Sequence, residues 1–380
     1  MVKQFDKRSK WWGWGREDEA YHIPDPDRFW TYVRGRLGKT TPRPRVRSLA
    51  EFKLRKSRLP ERDIAELRQV SDADAVSTDG EERAFFSLGK SYTDLVRMRR
   101  GEVSNATDAI VRPGDEQQVL AVMRLAARRR LAVIPFGGGT SVVGGVEPAG
   151  EVPTITIDMA ALNQVLEIDR EAATATVQAG VMGPDLERVL KRSGFTLWHF
   201  PQSFRYSSVG GWIATRSAGQ NSTKYGAIAA LVQSVRLAHP EGILSTPNVP
   251  AAAAGPDLVQ MIVGSEGTLG VITQANLRLS ALPEHRSYKG YLLPSFATGV
   301  QAADRSKLYW CHDVLGREPE DYLSAIEGLA DRQVLREMVY ELYSVQSIEK
   351  LKFDRVGKAI RSASASLVVW QIIVVLTFFL

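Results

Sequence analysis

From about residue 103 the chain alternates short apolar runs with amphipathic stretches, and each fits one element of structure. "DAIVRP" (108–113) predicts a short strand, and "LAVIPF" (131–136) predicts a buried one. Between them, "GDEQQVLAVMRLAARRR" (114–130) predicts a helix. Its first turn is acidic, Val119, Leu120, Val122 and Met123 face inward, and its arginines gather at the C-terminal end, where they complement the helix dipole. "PTITIDMAAL", "VLEIDREAATATVQAG" and "SVRLAHPEGIL" carry strand-like alternation, whereas "GPDLERVLKRSG" (183–194) is an amphipathic helix stopped at Gly194. Strands mixed with a few helices indicate an α+β fold.

The flanks have a different texture. Residues 1–102 read as a polar leader with a tryptophan patch (Trp11, Trp12, Trp14) and a basic, proline-broken stretch, "TTPRPRVRSLAEF". The pattern of 103–283 fades over 284–303. Residues 304–362 are charged and helical in character, and 363–380 form an uncharged hydrophobic helix. Eighteen helical residues span about 27 Å, slightly less than a bilayer's hydrocarbon core, and a basic flank precedes them. That segment reads as a membrane anchor, a buried terminal helix, or the product of a truncated or fused reading frame.

Composition narrows the chemistry. In 380 residues there are 49 basic and 43 acidic side chains, giving a net charge of +6. The basic residues are scattered, which points away from a nucleic-acid surface and leaves phosphorylated or lipid-like partners open. One cysteine, Cys311, allows no intrachain disulfide, and the five histidines lack ligand spacing, so no metal is expected. No secretory signal is recognisable, and the expected location is cytoplasmic.

Chemistry concentrates in three glycine-rich segments. "PFGGGTSVVGGV" (135–146) follows a strand and sets Gly137, Gly138 and Gly139 beside Thr140 and Ser141. Bare backbone amides next to hydroxyls suit the oxygens of a pyrophosphate. There is no Gly-Lys-Ser/Thr of a Walker loop, and no G-x-G-x-x-G opening a helix, so neither familiar nucleotide fingerprint applies. "HFPQSFRYSSVGGWIATRSAG" (199–219) and "GSEGTLGVITQANLRLS" (264–280) are the other two. Three such places at wide spacing point to one elongated ligand touched along its length.

Together with "KYGAI" and "GPDLVQMIVGSEGTLGVIT", these segments resemble the FAD-binding domain of the vanillyl-alcohol-oxidase/p-cresol-methylhydroxylase (PCMH) superfamily. Within it the chain is most similar to the alkyldihydroxyacetonephosphate synthase (alkylglycerone-phosphate synthase) group and its bacterial FAD-binding oxidase relatives. "KWWGWG", "YHIPDP" and "GKSYTDLVRMRRGEV" follow that group's N-terminal order. The resemblance implies that residues 103–283 form an FAD-binding domain of two α+β subdomains with an elongated, noncovalent FAD between them, and that residues 284–303 are the start of a cap domain. Pro135, Gly137, Gly138, Gly139, Thr140, Ser141 and Val142 would hold the pyrophosphate. Pro201, Ser203, Ser207, Val209, Gly210, Thr215 and Ser217 would line the central cofactor, and Glu266, Gly270, Val271 and Ile272 would add backbone contacts. His199 has two readings, a group polarising flavin or substrate, or a hydrogen-bonded structural histidine. The tryptophans at 11–14 are expected to pack rather than to stack on a ligand.

Two departures from the family stand out. Ala229 and Ala230 replace its usual acidic pair, and 304–380 shows no recognisable catalytic cap, so no catalytic residue carries over. The resemblance implies acyl-to-alkyl exchange on an acyl-dihydroxyacetone phosphate. The alternatives are an FAD-dependent oxidase or dehydrogenase of an alcohol or 2-hydroxy acid, and a flavin-binding remnant without catalysis.

Overall fold

The structure is a computed structural model that describes residues 10–16, 25–37, 47–250 and 253–285. Its contacts divide the chain into one unit ending at Pro283 and a second from Glu284 onward. The cap segment past residue 285, the charged helical stretch and the hydrophobic segment 363–380 lie outside the described residues. Among the described residues, no helix is long and apolar enough to cross a membrane.

The first unit holds two sheets in an α+β arrangement. Strands β1 (Val76–Ser77), β2 (Ala109–Val111), β3 (Ala132–Phe136) and β4 (Thr154–Asp158) form the first sheet, in the order β1-β2-β4-β3. β2 and β3 run parallel to the central β4, and β1 pairs antiparallel with β2. Central position explains why β4 is buried along its whole length, with Ile155 and Ile157 fully enclosed. β3, expected to be buried, is half-exposed up to Phe136, because it is the edge strand of its sheet.

Strands β5 (Val165–Asp169), β6 (Thr174–Gln178), β8 (Val232–His239), β9 (Gly242–Ser245) and β10 (Val271–Arg278) build a second, antiparallel sheet ordered β5-β6-β10-β8-β9. β7 (Phe195–Thr196) and β11 (Ser280–Ala281) make a small separate pair.

The described helices are α1 (Pro26–Leu37), α2 (Glu61–Ser71), α3 (Gly80–Phe85), α4 (Tyr92–Arg100), α5 (Glu116–Arg129), α6 (Gly183–Arg192), α7 (Val209–Ala214), α8 (Ser222–Tyr225), α9 (Ile228–Leu231) and α10 (Leu258–Ile262). α5 matters most for the site. Asp115 caps its start by accepting from the Gln118 amide, and Arg130 ends it in the left-handed region at φ 55°. Its apolar face buries Val119, Val122 and Leu125 against both sheets, so one continuous core joins the two lobes.

Residues 47–102, within the stretch read as a polar leader, pack into the first unit. β1 extends the first sheet, α2 packs on α5, and buried Asp108 ties the segment down. Asp108 accepts from the Arg58 and Thr154 amides at 2.8 and 2.9 Å and from Arg55 Nη1 at 3.0 Å. Burial pushes its carboxyl up, but these donors outweigh that and hold it below the usual aspartate value. The strand was too short, and its surroundings too polar, for periodicity to reveal it.

Candidate functional site

The glycine loop after β3 approaches the second glycine-rich segment directly. A Cβ on Gly138 would lie 1.7 Å from the Tyr206 carbonyl oxygen, and one on Gly137 would lie 2.1 Å from Ser208 Oγ. These two positions are therefore glycine so that residues 206–208 can pack on the loop. The third segment is tied in turn to the second. The Glu266 amide donates to the Ala214 carbonyl at 2.9 Å, and the Gly264 amide to the Ile213 carbonyl at 2.9 Å. Arg216 reinforces the junction by donating through Nη2 to the carbonyls of Gln260 and Val263, at 2.9 and 2.7 Å. The three stretches thus share one neighbourhood despite wide sequence spacing.

Between them lies a cleft of about 640 Å³, within the usual range for a cofactor site. Of the residues expected from sequence, Pro135, Gly137–Val142, Pro201, Ser203, Ser207, Gly210, Thr215, Ser217, Glu266, Gly270 and Ile272 all line it. Val209 and Val271 do not. Val209 opens α7 with its side chain in the core and its amide spent on the Val181 carbonyl. Val271 is buried, and strand alternation turns it away from the side on which its neighbour Ile272 lines the cleft.

Other lining residues escaped the sequence reading. Ser208 and Gly211 sit inside a recognised motif, and the run "SSVGGW" carried a signal for them. Trp14 carried none. It lies far away in sequence, yet it borders the cleft beside the glycine loop and is partly exposed there. Its segment is held by Lys90, whose Nζ donates to the carbonyls of Lys10 and Trp11 at 2.6 and 3.2 Å, and by Arg99, whose Nε donates to the Trp12 carbonyl. Burial lowers the Lys90 pKa to about 8. Trp11 does pack as expected, buried edge-on against Phe52 with ring centroids 5.2 Å apart.

The electrostatics of the cleft are unusual for an anion site. Among its described lining residues there is no lysine, arginine or histidine, and Glu266 is the one carboxylate, its pKa raised by partial burial. Negative charge would have to be met by dipoles instead. The amides of Gly138, Gly139, Thr140, Ser141 and Val142 donate to no other group among the described residues. The loop itself is braced by Ser141, whose Oγ accepts from the Gly145 amide at 3.1 Å and whose carbonyl accepts from the Lys90 amide at 2.7 Å. Five consecutive amides without partners, beside hydroxyls and an apolar wall that includes Trp212 and Met159, form a donor set that fits a long dinucleotide with a charged middle.

The departure at Ala229 and Ala230 has a structural counterpart. Their carbonyls, rather than side chains, make the contacts, accepting from Gln260 Nε2 at 2.9 Å and from Arg278 Nη2. His199, just outside the cleft, is buried and bonded through Nε2 to Ser217 Oγ at 2.7 Å. Burial lowers its pKa to about 4, so it is neutral at pH 7.

Comparison with known proteins agrees with this geometry. A family model described as an FAD binding domain matches residues 107–246. An alkyldihydroxyacetonephosphate synthase of Trypanosoma brucei brucei is 35% identical over 355 residues, covering 85% of this chain and 57% of the relative. An uncharacterized FAD-linked oxidoreductase of Escherichia coli is 37% identical over 193 residues, covering 50% of this chain and 40% of that one. A solved structure of an alkyldihydroxyacetonephosphate synthase superposes with a TM-score of 0.70 at 34% identity, covering 79% of this chain and 59% of that chain. The chain spans less than three-fifths of the length of each of these relatives. FAD is the cofactor these findings support, and the cleft has the donors to receive it.

Proposed function

Because residues 107–246 are an FAD binding domain and the chain belongs to the flavoprotein superfamily built on it, we propose that it serves ether-lipid synthesis of the alkyldihydroxyacetonephosphate synthase type. The reaction exchanges the acyl group of an acyl-dihydroxyacetone phosphate for a fatty alcohol: the ether C–O bond forms, the ester-side C–O bond breaks, and the fatty acid leaves with no net oxidation. The observation that carries this reading is the reach of the synthase similarity. It covers 85% of the chain, well beyond the FAD binding domain, whereas the similarity to the E. coli oxidoreductase covers 50%.

In this reading FAD, once bound, supplies an electron-accepting ring system. The protein's part is to hold it. The Gly138–Val142 amides take the charged middle and Ser217 offers a hydroxyl, while the hydroxyls of Ser203, Ser207 and Thr215 line the length with their hydrogens spent on Ser207 Oγ, the Ser203 carbonyl and the Gly211 carbonyl, and the apolar wall around Trp212 excludes water. The substrate would be phosphorylated and lipid-like, and association with a membrane surface would suit it.

A second reading, oxidation of an alcohol or 2-hydroxy acid, is favoured by the similarity to the FAD-linked oxidoreductase. A third, flavin binding without turnover, rests on the lining: Glu266 is the only ionisable side chain among the described residues of the cleft. One experiment separates them. Incorporation of labelled fatty alcohol into the ether product supports the synthase reading, and anaerobic bleaching of the flavin by a hydroxy acid supports the second. Absence of both, with FAD bound, leaves the third.

A further inference from the structure

His199 stands behind the cleft wall rather than in it, and its position has a consequence for what faces the cofactor. The side chain is 1% exposed and packs edge-on against Trp212, with ring centroids 5.0 Å apart. Its Nε2 lies 2.7 Å from Ser217 Oγ, while Nδ1 has no partner among the described residues. A neutral imidazole carries one N–H and one lone pair. With the hydrogen on Nδ1, a buried N–H would go unsatisfied. With it on Nε2, only a lone pair is left bare, which is the cheaper arrangement.

The second tautomer determines the role of Ser217. Its oxygen receives the imidazole N–H, so its own hydroxyl hydrogen is left to donate elsewhere. The hydroxyl has no other partner among the described residues, and Ser217 lines the cleft. We propose that His199 is a positioning residue that fixes Ser217 as a hydrogen-bond donor into the FAD cleft, aimed at an acceptor oxygen or nitrogen of the bound cofactor. Without the histidine the serine hydroxyl rotates freely and can turn its lone pairs to the ligand instead. The inference rests on FAD being the occupant.

Titration of apo chain with FAD, followed by flavin fluorescence, tests this across four variants. Ser217→Ala is expected to weaken binding about five- to tenfold, the loss of one net hydrogen bond. His199→Leu should weaken it by a smaller factor, since the freed hydroxyl can still donate but is no longer held as a donor, and the double variant should bind no more weakly than Ser217→Ala alone, because the histidine acts only through the serine. His199→Gln, whose amide can still donate from the Nε2 side, should recover most of the affinity. The inference is overturned by a Ser217→Ala chain that binds FAD as the parent does, or by losses that multiply in the double variant. A merely structural histidine would lower stability in both His199 variants without coupling to Ser217. Parent chain that takes up no FAD removes the cofactor assignment underneath. Parent uptake with an indifferent Ser217→Ala removes this inference alone.

Discussion

Glu116, in the first turn of α5, and Arg236, on β8, form a two-pronged ion pair across the lobes, with Nε–Oε1 at 2.9 Å and Nη2–Oε2 at 2.6 Å. Thr273 on β10 donates to the same carboxylate at 2.6 Å. One side chain therefore holds the helix of the first lobe to two strands of the second. The hydrogen bonds from Arg236 hold the Glu116 carboxyl below its usual value, against the upward push of burial. Glu116→Gln should lower unfolding free energy by about 1–2 kcal/mol, discounted for the pair's partial exposure. Because the folded carboxyl is the more acidic one, that contribution is present above about pH 4.5 and lost as pH falls further. Urea unfolding of both chains at pH 7 and pH 4 checks the sign: the gap between them should narrow at the lower pH.

His199 gives a second pH signature, in a different window. Its folded pKa, lowered by burial to about 4, lies below the ordinary 6.5 of the unfolded chain. Stability should be unaffected by this group above pH 6.5 and should fall between 6.5 and 4, where the unfolded chain binds the proton and the fold resists it. The ceiling on that loss is about 3 kcal/mol. His199→Gln should flatten this part of the stability–pH curve, and an unchanged slope would contradict the assignment.

Close approach at the glycine loop can be tested by adding a single carbon. Gly138→Ala places a methyl 1.7 Å from a backbone oxygen that cannot rotate away. It should cost about 3 kcal/mol or more and strip the chain of flavin. Gly242→Ala, on β9, meets nothing within 4 Å and should stay within about 0.5 kcal/mol of the parent. Comparable effects from the two would show that the loops do not pack as described.

A cleft that meets negative charge with amides should bind its ligand with little regard for salt. No basic side chain appears among its described lining residues, so there is no exposed ion pair to screen. FAD affinity should change less than about threefold between low and physiological ionic strength. A steep loss with added salt would mean that lysines or arginines carry the pyrophosphate.

Trp14 borders the cleft, so cofactor binding should quench its emission. Trp14→Phe should reduce the quenching on FAD addition, whereas Trp11→Phe, changed in a buried cluster away from the cleft, should leave it intact.

The elements between Ala109 and Arg278 were readable because their periods are clean and their ends carry turn or cap residues, as at Asp115 and Gly194. The convergence of the glycine segments was readable because clusters of bare backbone have few other uses, and the structure brings all three to one cleft. What sequence could not give was direction. Whether Val209 and Val271 face the cleft or the core depends on how α7 and β10 are rotated in the assembled fold, and both turned inward. Nor could it say that Gly137 and Gly138 accommodate a neighbouring segment while lining the cleft, because that neighbour is some seventy residues away. Trp14 and β1 reach their places through tertiary contacts, for which local pattern carries no signal.

The most direct measurement is the visible spectrum of the purified full chain, before and after denaturation. A yellow protein that releases its flavin into the supernatant, one FAD per chain, is the expected result. A colourless protein that stays colourless in excess FAD would contradict the cleft as a cofactor site.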